Sequence, residues 1–498
     1  MNTTTRVVLM LFLLLMVERS SSSPVKVNKT KVLILGAGLA GIKAAKTLLD
    51  KGITDFLILD GKNYTGGRIH AVPFMGLNIE AGANWVHFTD EEFTAPLVKL
   101  KDAKKMNGIR CNYSDFVVRD EEGNDITDLS VSKDYHDKVE GRVEQYLETR
   151  KEKGSPDIPA RVGLQLMGWK SGKQSIRKVV EYFNFDFEYA KRPELVSFYQ
   201  VFERGEDFFV TDRRGVWFMY EDLYKPLTNR ILLGKTVTEI KYSDTSVEVT
   251  TSDGDKFAAD YALCTFSTGV LASDMVTFNP PLPEWKREVI FKNPMSVYTK
   301  IFLKFPSKFW DDHEYILYAS KERGRFPVFQ DLERPGILPN GSNILLVTVT
   351  EDEGRRIEQQ AYNETKAEVA KMLRSIYGQG IPDATAIYYY RWSQDPFTQG
   401  SYSEPVVGFT SEDFNKLGQN LGRLYFAGEA TSKEWYGYMQ GAYLTGEEKG
   451  KLIACQILPN ESECKAPEKK KPKSEATFAA RSAAGVLVFS FLCSLLWM

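Results

Sequence analysis

The stretch from Lys31 to Asp60, KVLILGAGLAGIKAAKTLLDKGITDFLILD, limits what this chain can fold into more than any other. Lys31 to Leu35 is an apolar run with no solvated face. Gly36, Gly38 and Gly41 follow in G-x-G-x-x-G spacing, then Leu39, Ala40, Ala44, Ala45 and Leu48 at helical period. A second apolar run, Phe56 to Leu59, ends in Asp60. The pattern predicts strand, glycine turn, helix and strand. Gly36 permits the tight turn, Gly38 has no side chain to hold a phosphate away, and Gly41 lets the helix pack on the strand. The first amides of that helix then face an anion. Asp60, about twenty residues beyond the glycines, is placed to accept hydrogen bonds from a ribose diol. Strand, helix and acid together favour a dinucleotide site over an incidental glycine turn.

The next motifs select among dinucleotides. Gly66-Gly67-Arg68 supplies a second close backbone approach and a guanidinium that can neutralise pyrophosphate, and Gly82-Ala83-Asn84-Trp85 follows. An ordinary glycine loop with a surface arginine would explain Gly66 to Arg68 alone. With the second motif, the pair argues for FAD.

The two ends read as targeting segments. Arg6 is followed by the uncharged run Val7 to Val17 and by Ser20 to Ser23, the pattern of a secretory leader over residues 1–23. Secretion gives meaning to the glycosylation triplets that begin at Asn28, Asn112, Asn340, Asn363 and Asn460. Asn63 begins another, but it is expected to lie too close to the cofactor for a glycan. In the tail (465–498), Lys465 to Lys473 is a basic linker and Ala483 to Met498 an uncharged apolar end. Ser474 to Ala476, with a spacer to Ser482, resembles a glycosylphosphatidylinositol signal; a vacuolar sorting propeptide and a retained membrane helix are the alternatives. The expected location is the extracellular space or cell surface, with the vacuole as alternative.

A net charge of −2 over 498 residues gives no reason to expect a nucleic-acid partner. Five cysteines without C-x-x-C and four histidines argue against a zinc cluster, while Cys455 and Cys464 are close enough to pair or to remain free. Along the chain, Asp90 to Ala190 is charged and mostly helical in pattern, with Lys133 to Lys153 expected as a solvated helix. Tyr182 to Tyr189 (YFNFDFEY) reads as a helix face packed on the core, except that Glu188 among aromatics needs a partner. Thr236 to Tyr242 and Val247 to Thr251 predict an antiparallel meander, and Tyr261 to Phe266 a returning strand. Tyr298 to Phe305 is a strand with Lys300 between apolar neighbours; alone, such a lysine belongs on a solvated face. Glu351 to Tyr377 is expected as one long amphipathic helix and Tyr388 to Trp392 as an aromatic strand. Arg423 to Ala427 forms a strand leading to Gly428-Glu429. Tyr438 to Leu452 is a helix whose N-terminus can stabilise negative charge on a reduced flavin.

Taken together, Gly36 to Gly41, Leu59-Asp60, Gly66-Gly67-Arg68, Gly82 to Trp85, Tyr298-Thr299-Lys300, Tyr425 to Glu429 and Tyr438 to Tyr443 resemble the flavin amine oxidase family, most nearly the secreted polyamine oxidases of plants. The resemblance runs from about Lys31 to Leu458. It implies an α/β plus α+β, two-domain fold: a Rossmann-like FAD-binding domain (31–108, 213–283 and 396–458) and a discontinuous substrate-binding domain (109–212 and 284–395). It implies oxidation of a carbon beside the secondary amine of spermine or spermidine: hydride transfer to flavin N5, hydrolysis of the imine, and reoxidation by O2 to give H2O2. By the same resemblance Lys300 holds a water near flavin N5 and assists reoxidation. Tyr298 and Tyr438 wall the catalytic tunnel, with Tyr402 at a second ring position. Glu188 faces the substrate amines and Tyr189 stands where a phenylalanine is expected. Gly82, Ala83, Asn84, Trp85 and Trp392 line the cofactor, Glu429 lies near its ribityl and phosphate region, and Val237 holds the adenine through its backbone. No cysteine lies in Glu434 to Met439, so FAD is expected to be non-covalent.

One position departs from the secreted plant pattern. His87 stands where those enzymes have glutamate, as in intracellular and animal polyamine oxidases. A histidine can accept a bond from an amine but does not supply glutamate's fixed charge. Which carbon is oxidised, and whether spermine or spermidine is preferred, stays open. The alternatives are an oxidase of other amines or of L-amino acids, which would need a pocket arginine, and a non-catalytic secreted flavin-binding protein.

Overall fold

The computed structural model describes residues 27–90, 95–202, 205–460 and 464; the expected leader and tail lie outside them. Two compact units divide after Lys451. In the second, Cys455 and Cys464 form a disulfide with their Cα atoms 5.2 Å apart.

In the first unit, an eight-stranded sheet runs in the order Thr277–Asn279, Val237–Tyr242, Val247–Thr251, Lys256–Cys264, Val27–Leu35, Phe56–Leu59, Ile231–Leu232, with Leu424–Phe426 also paired to Lys256–Cys264. Val27–Leu35 is parallel to both neighbours, Val32 lying opposite Phe56 on one side and Tyr261 on the other. Its residues Val32 to Leu35 expose no surface, which is why the run shows no alternation. Lys256–Cys264 gives the first half of its other edge to antiparallel Val247–Thr251 and the second half to parallel Leu424–Phe426. Four parallel strands therefore end side by side. Gly36, Asp60 and Thr265 directly follow their last residues, Gly428 comes two residues after Phe426, and all four line one cavity, at the carboxyl edge where open α/β sheets bind ligands. Beneath it, helix Leu39–Asp50 lies against helix Met439–Ile457. Methyls at Gly446 and Gly450 would collide with the carbonyl oxygens of Ala40 and Ala44, so these glycines set the distance between the helices.

The six-stranded sheet, in the order Ala386–Tyr388, Tyr298–Lys304, Ile344–Thr350, Val328–Asp331, Tyr315–Tyr318, Phe116–Arg119, forms the wall opposite. Phe302, Ile344 and Leu346 face Trp85 and Phe187 on the cavity side, whereas Ile301, Leu303, Val347 and Val349 pack under two helices. Strand alternation puts Lys300 on the inner face with Tyr298 and Phe302.

Three elements differ from expectation. The expected helix Glu351 to Tyr377 is two, Glu351–Gln359 and Tyr362–Tyr377. At the break, the Glu364 carboxylate accepts from the Ala361 amide at 3.0 Å, while the Tyr389 hydroxyl and Arg391 guanidinium donate to the Gln360 carbonyl. The aromatic strand stops at Tyr388, because Tyr389 turns inward to those partners and Trp392 turns to the cavity. Lys133 to Lys153 is likewise interrupted, as Leu129–Tyr135, a π turn His136–Glu140 and Val143–Glu152, and it buries Val139, Val143 and Leu147 rather than being solvated all round.

Candidate active site

Each glycine of the first motif has a distinct surrounding. Gly36 adopts φ +114°, a conformation that side chains disfavour, and its amide donates to the Leu59 carbonyl at 2.7 Å, tying the turn to the second strand. A methyl at Gly38 would meet nothing within 4 Å, so that position opens into the cavity. Gly41 does not line the cavity; a methyl there would meet the Gly36 carbonyl oxygen and Ile34, the packing role expected of it. The Asp60 carboxylate accepts from the Ala37 amide at 2.7 Å and the Lys62 amide at 2.8 Å. Those bonds fix it at the strand end, and carboxylate oxygens retain further lone pairs for a diol.

The second glycine pair is drawn to the first by the Gly66 amide, which donates to the Ala37 carbonyl at 3.0 Å. Arg68 projects into the same space but is not a free fork: Nη1 donates to Glu429 Oε1 at 2.6 Å and to the Ser401 carbonyl at 3.3 Å. Glu429 also accepts from the Ser403 hydroxyl at 2.6 Å and the Gly437 amide at 2.7 Å, which binds strand end, inner loop and helix entry into one frame. Val237, Trp392, Gly82, Ala83, Asn84 and Gly428 complete this part of the cavity, and Trp392 Nε1 donates to the Ala81 carbonyl at 3.2 Å. An open glycine cradle, a twelve-residue helix starting beside it and an acid at the strand end fit a dinucleotide diphosphate and ribose.

Lys300 is 3 % exposed, so the solvated-face reading of this lysine does not hold. Its Nζ donates to the Gly82 carbonyl at 2.7 Å and Asn84 Oδ1 at 3.1 Å and lies 5.5 Å from the Trp85 ring centre. Burial lowers its pKa, opposed by the charge of Glu80, whose own pKa burial raises. The cation is thus aimed at the cavity beside the second glycine motif, held by neutral acceptors.

Around it stand the aromatic walls. The Tyr298 ring centre lies 5.7 Å from Phe187 and 6.2 Å from Tyr402. Tyr402 donates its hydroxyl to the Glu188 main-chain oxygen at 2.7 Å, and Tyr438 donates to the Glu188 carboxylate. A phenol therefore meets the half-buried acid that the sequence left needing a partner. Tyr189 accepts at its hydroxyl from the Phe202 amide at 3.1 Å. The segment carrying Glu188 is anchored below: Arg161 grips buried Glu181 with bonds of 2.6 and 2.7 Å, Trp169 Nε1 adds a third, and Arg323 pairs with Asp186.

His87 sits 4.9 Å from the Tyr438 ring, and its Nδ1 lies 3.1 Å from Asp207 Oδ1. A carboxylate opposite Nδ1 assigns a proton there, leaving Nε2 as the acceptor in the neutral ring. Asp207, 5 % exposed, also takes the Tyr113 hydroxyl at 2.8 Å. Negative charge absent from position 87 is thus present one layer behind it. Sequence reasoning missed Asp207, Glu80, Tyr436 and Glu404; the Tyr436-Gly437 step before the last helix was the only local signal. Asn63, expected to be shielded by the cofactor, is exposed and borders a separate surface depression with Tyr64 and Tyr390.

The model of the family described as flavin containing amine oxidoreductase matches residues 39–453. Polyamine oxidase 1 of Zea mays is 37% identical over 85% of this chain and 90% of its own length. Polyamine oxidase 7 of Oryza sativa subsp. japonica is 38% identical over 84% and 94%. A solved structure of wild-type putrescine oxidase bound to putrescine has a TM-score of 0.70 at 16% identity, covering 87% of this chain and all of that one, a likeness of fold. With a family match that begins at the first residue of helix Leu39–Asp50 and runs to residue 453, the chain belongs to the flavin containing amine oxidoreductases and takes FAD as its cofactor.

Proposed function

We propose that the protein is a polyamine oxidase that oxidises a carbon next to a secondary amine of spermine or spermidine, with O2 as electron acceptor and H2O2 as product. The observation that carries this reading is the cavity itself. It continues from the glycine cradle past Lys300 into an aromatic passage that Glu188 and Glu404 also line, suited to a slender apolar chain bearing ammonium groups. The relatives named polyamine oxidase, at 37% and 38% identity, support the substrate class.

FAD, held without a covalent link, supplies the two-electron chemistry. The chain's own residues position the amine. Tyr298, Tyr402 and Tyr438 confine the methylene chain, Glu188 attracts an ammonium, and His87 Nε2 accepts from an amine nitrogen near the reacting carbon. Lys300, in its cationic form, stabilises negative charge as oxygen is reduced. Arg68 is the one arginine lining the cavity among the described residues, and its bond to Glu429 disfavours it as a carboxylate receptor for amino acids. The test is peroxide release with spermine, spermidine, tyramine and leucine; turnover of tyramine or leucine above both polyamines would overturn the reading.

We further propose a secretory route ending at the cell surface or outside the cell. The Cys455–Cys464 disulfide suits an oxidising compartment, and Asn112, Asn340, Asn363 and Asn460 are exposed. Activity released from intact cells by a phosphatidylinositol-specific phospholipase would support the anchor; activity that stays on the membrane, or never reaches it, would exclude it.

A further inference from the structure

Glu188 is not the only carboxylate facing the aromatic passage. Glu404 lies two residues beyond Tyr402, on a segment laid against Pro294 to Tyr298: the Ser401 amide donates to the Ser296 carbonyl at 2.9 Å and the Glu404 amide to that of Pro294 at 3.0 Å. The backbone of Glu404 is therefore fixed. Its side chain lines the cavity at 2 % exposure, and its buried Oε1 has no hydrogen-bond partner among the described residues. Beside it the buried Tyr436 hydroxyl is in the same condition and lines the same cavity. An unsatisfied buried carboxylate oxygen is costly, and a second unsatisfied group on a residue lining the same cavity points to a ligand that satisfies both.

The neighbouring cation does not fill that role. Lys191 is 7 % exposed, and its Nζ donates to the Glu404 main-chain oxygen at 2.5 Å rather than to the carboxylate. Burial raises the pKa of the Glu404 carboxyl, with Lys191 opposing that shift and Glu188 and Glu429 adding to it. The passage thus holds a carboxyl group whose side chain has no bonded cation among the described residues.

We propose that Glu404, with the Tyr436 hydroxyl, is a second ammonium-binding subsite of the passage, so that a polycationic amine is held by Glu188 at one nitrogen and by Glu404 at another. The proposal rests on the amine-oxidising reading above, but it concerns how charge is counted rather than which bond is broken. A substrate with two separated ammonium groups satisfies both carboxylates, whereas a monoamine of equal length leaves one of them bare. Glu404 thereby selects for a second positive charge.

The test is an anaerobic titration of the holoenzyme with 1,8-diaminooctane and with 1-aminooctane, followed by the perturbation of the flavin absorption band. Wild type should bind the diamine more tightly. E404Q should weaken the diamine at least tenfold and the monoamine less than threefold, at unchanged flavin content and melting temperature; Y436F should give a smaller loss in the same direction. Equal weakening of both amines, or an unchanged diamine, would overturn the proposal, since a merely structural carboxylate would not distinguish them. If E404Q fails to hold flavin, Y436F and E404D decide by the same ratio. The readout is binding, so it stays interpretable even if wild type releases no peroxide from spermine or spermidine, the result that would sink the polyamine reading alone.

Discussion

Gly38 and Gly41 stand three residues apart in one motif, yet the structure assigns them failures of different kinds. A methyl built on Gly41 comes within 2.0 Å of the Gly36 carbonyl oxygen and 3.2 Å of Ile34 Cγ2, where ordinary contact begins at 3.4 Å. The obstruction is backbone, so relief requires moving helix Leu39–Asp50 off strand Val27–Leu35 by more than an ångström, through Val32 to Leu35, Ala44, Ala45 and Leu48, all fully buried. Overpacking of this sort costs about 1–3 kcal/mol, and a rigid obstacle puts Gly41→Ala at about 3. Gly38→Ala meets nothing within 4 Å, and φ −73°, ψ 179° suits alanine, so its cost is the poorer helix cap, about 0.5–1 kcal/mol. Its methyl instead occupies the space left for the diphosphate, and loss of one close amide approach, about 1.4 kcal/mol or more, weakens FAD at least tenfold. The assay is paired: thermal melting of apoprotein and holoprotein, and FAD titration of the apoprotein by recovery of the flavin spectrum. Gly41→Ala should lower both melting temperatures by several degrees. Gly38→Ala should leave the apoprotein nearly unchanged while the stabilisation by FAD shrinks. Full FAD affinity in Gly38→Ala, or matching apoprotein losses in both variants, would refute the division of roles.

The remaining expectations concern the charged groups. Because burial lowers the pKa of Lys300, its ammonium is lost at a lower pH than that of an ordinary lysine, so flavin reoxidation should slow as pH rises through that range. In Lys300→Met, stopped-flow traces should show reduction by amine retained, reoxidation slowed, and the pH dependence gone. Asp207→Asn should raise KM for a polyamine several-fold at unchanged flavin content, by removing the negative charge that holds the proton on His87 Nδ1; an unchanged KM for both spermine and spermidine would refute that role. His87→Glu should change the ratio of products measured by mass spectrometry. Lys286, fully buried, caps helix Ser411–Gly418 by donating to the carbonyls of Lys416, Leu417 and Gln419 at 3.1, 2.7 and 2.7 Å. Lys286→Met strands those acceptors and should destabilise the protein by about 3 kcal/mol in denaturant titrations without altering amine specificity.

What the sequence disclosed, and what it withheld, follows from how local each cause is. The dinucleotide turn was legible because glycine spacing, the apolar run and Asp60 act within one short stretch, and the structure shows the turn at Gly36 and the close packing at Gly41. Glu188 was legible because its aromatic neighbours adjoin it in the chain. The helix break at Gln360 was not, since a continuous amphipathic pattern runs across it, and its acceptor is taken by Tyr389 and Arg391 from a distant segment. Lys300 read alone belonged in water; only the pairing of its strand with Ile344–Thr350, and the arrival of Gly82 and Asn84, turns that face inward. Asp207 and Glu404 lie in GEDFFV and SEPVV, where an isolated acid reads as surface. Their burial comes from loops that meet across the cavity, His87 and Tyr113 reaching Asp207 and Lys191 reaching Glu404. Chemical identity is written residue by residue, but the cost of burying a charge depends on everything folded around it. An acid that spends that cost without an internal partner therefore becomes visible as a candidate ligand group only once the fold is in place.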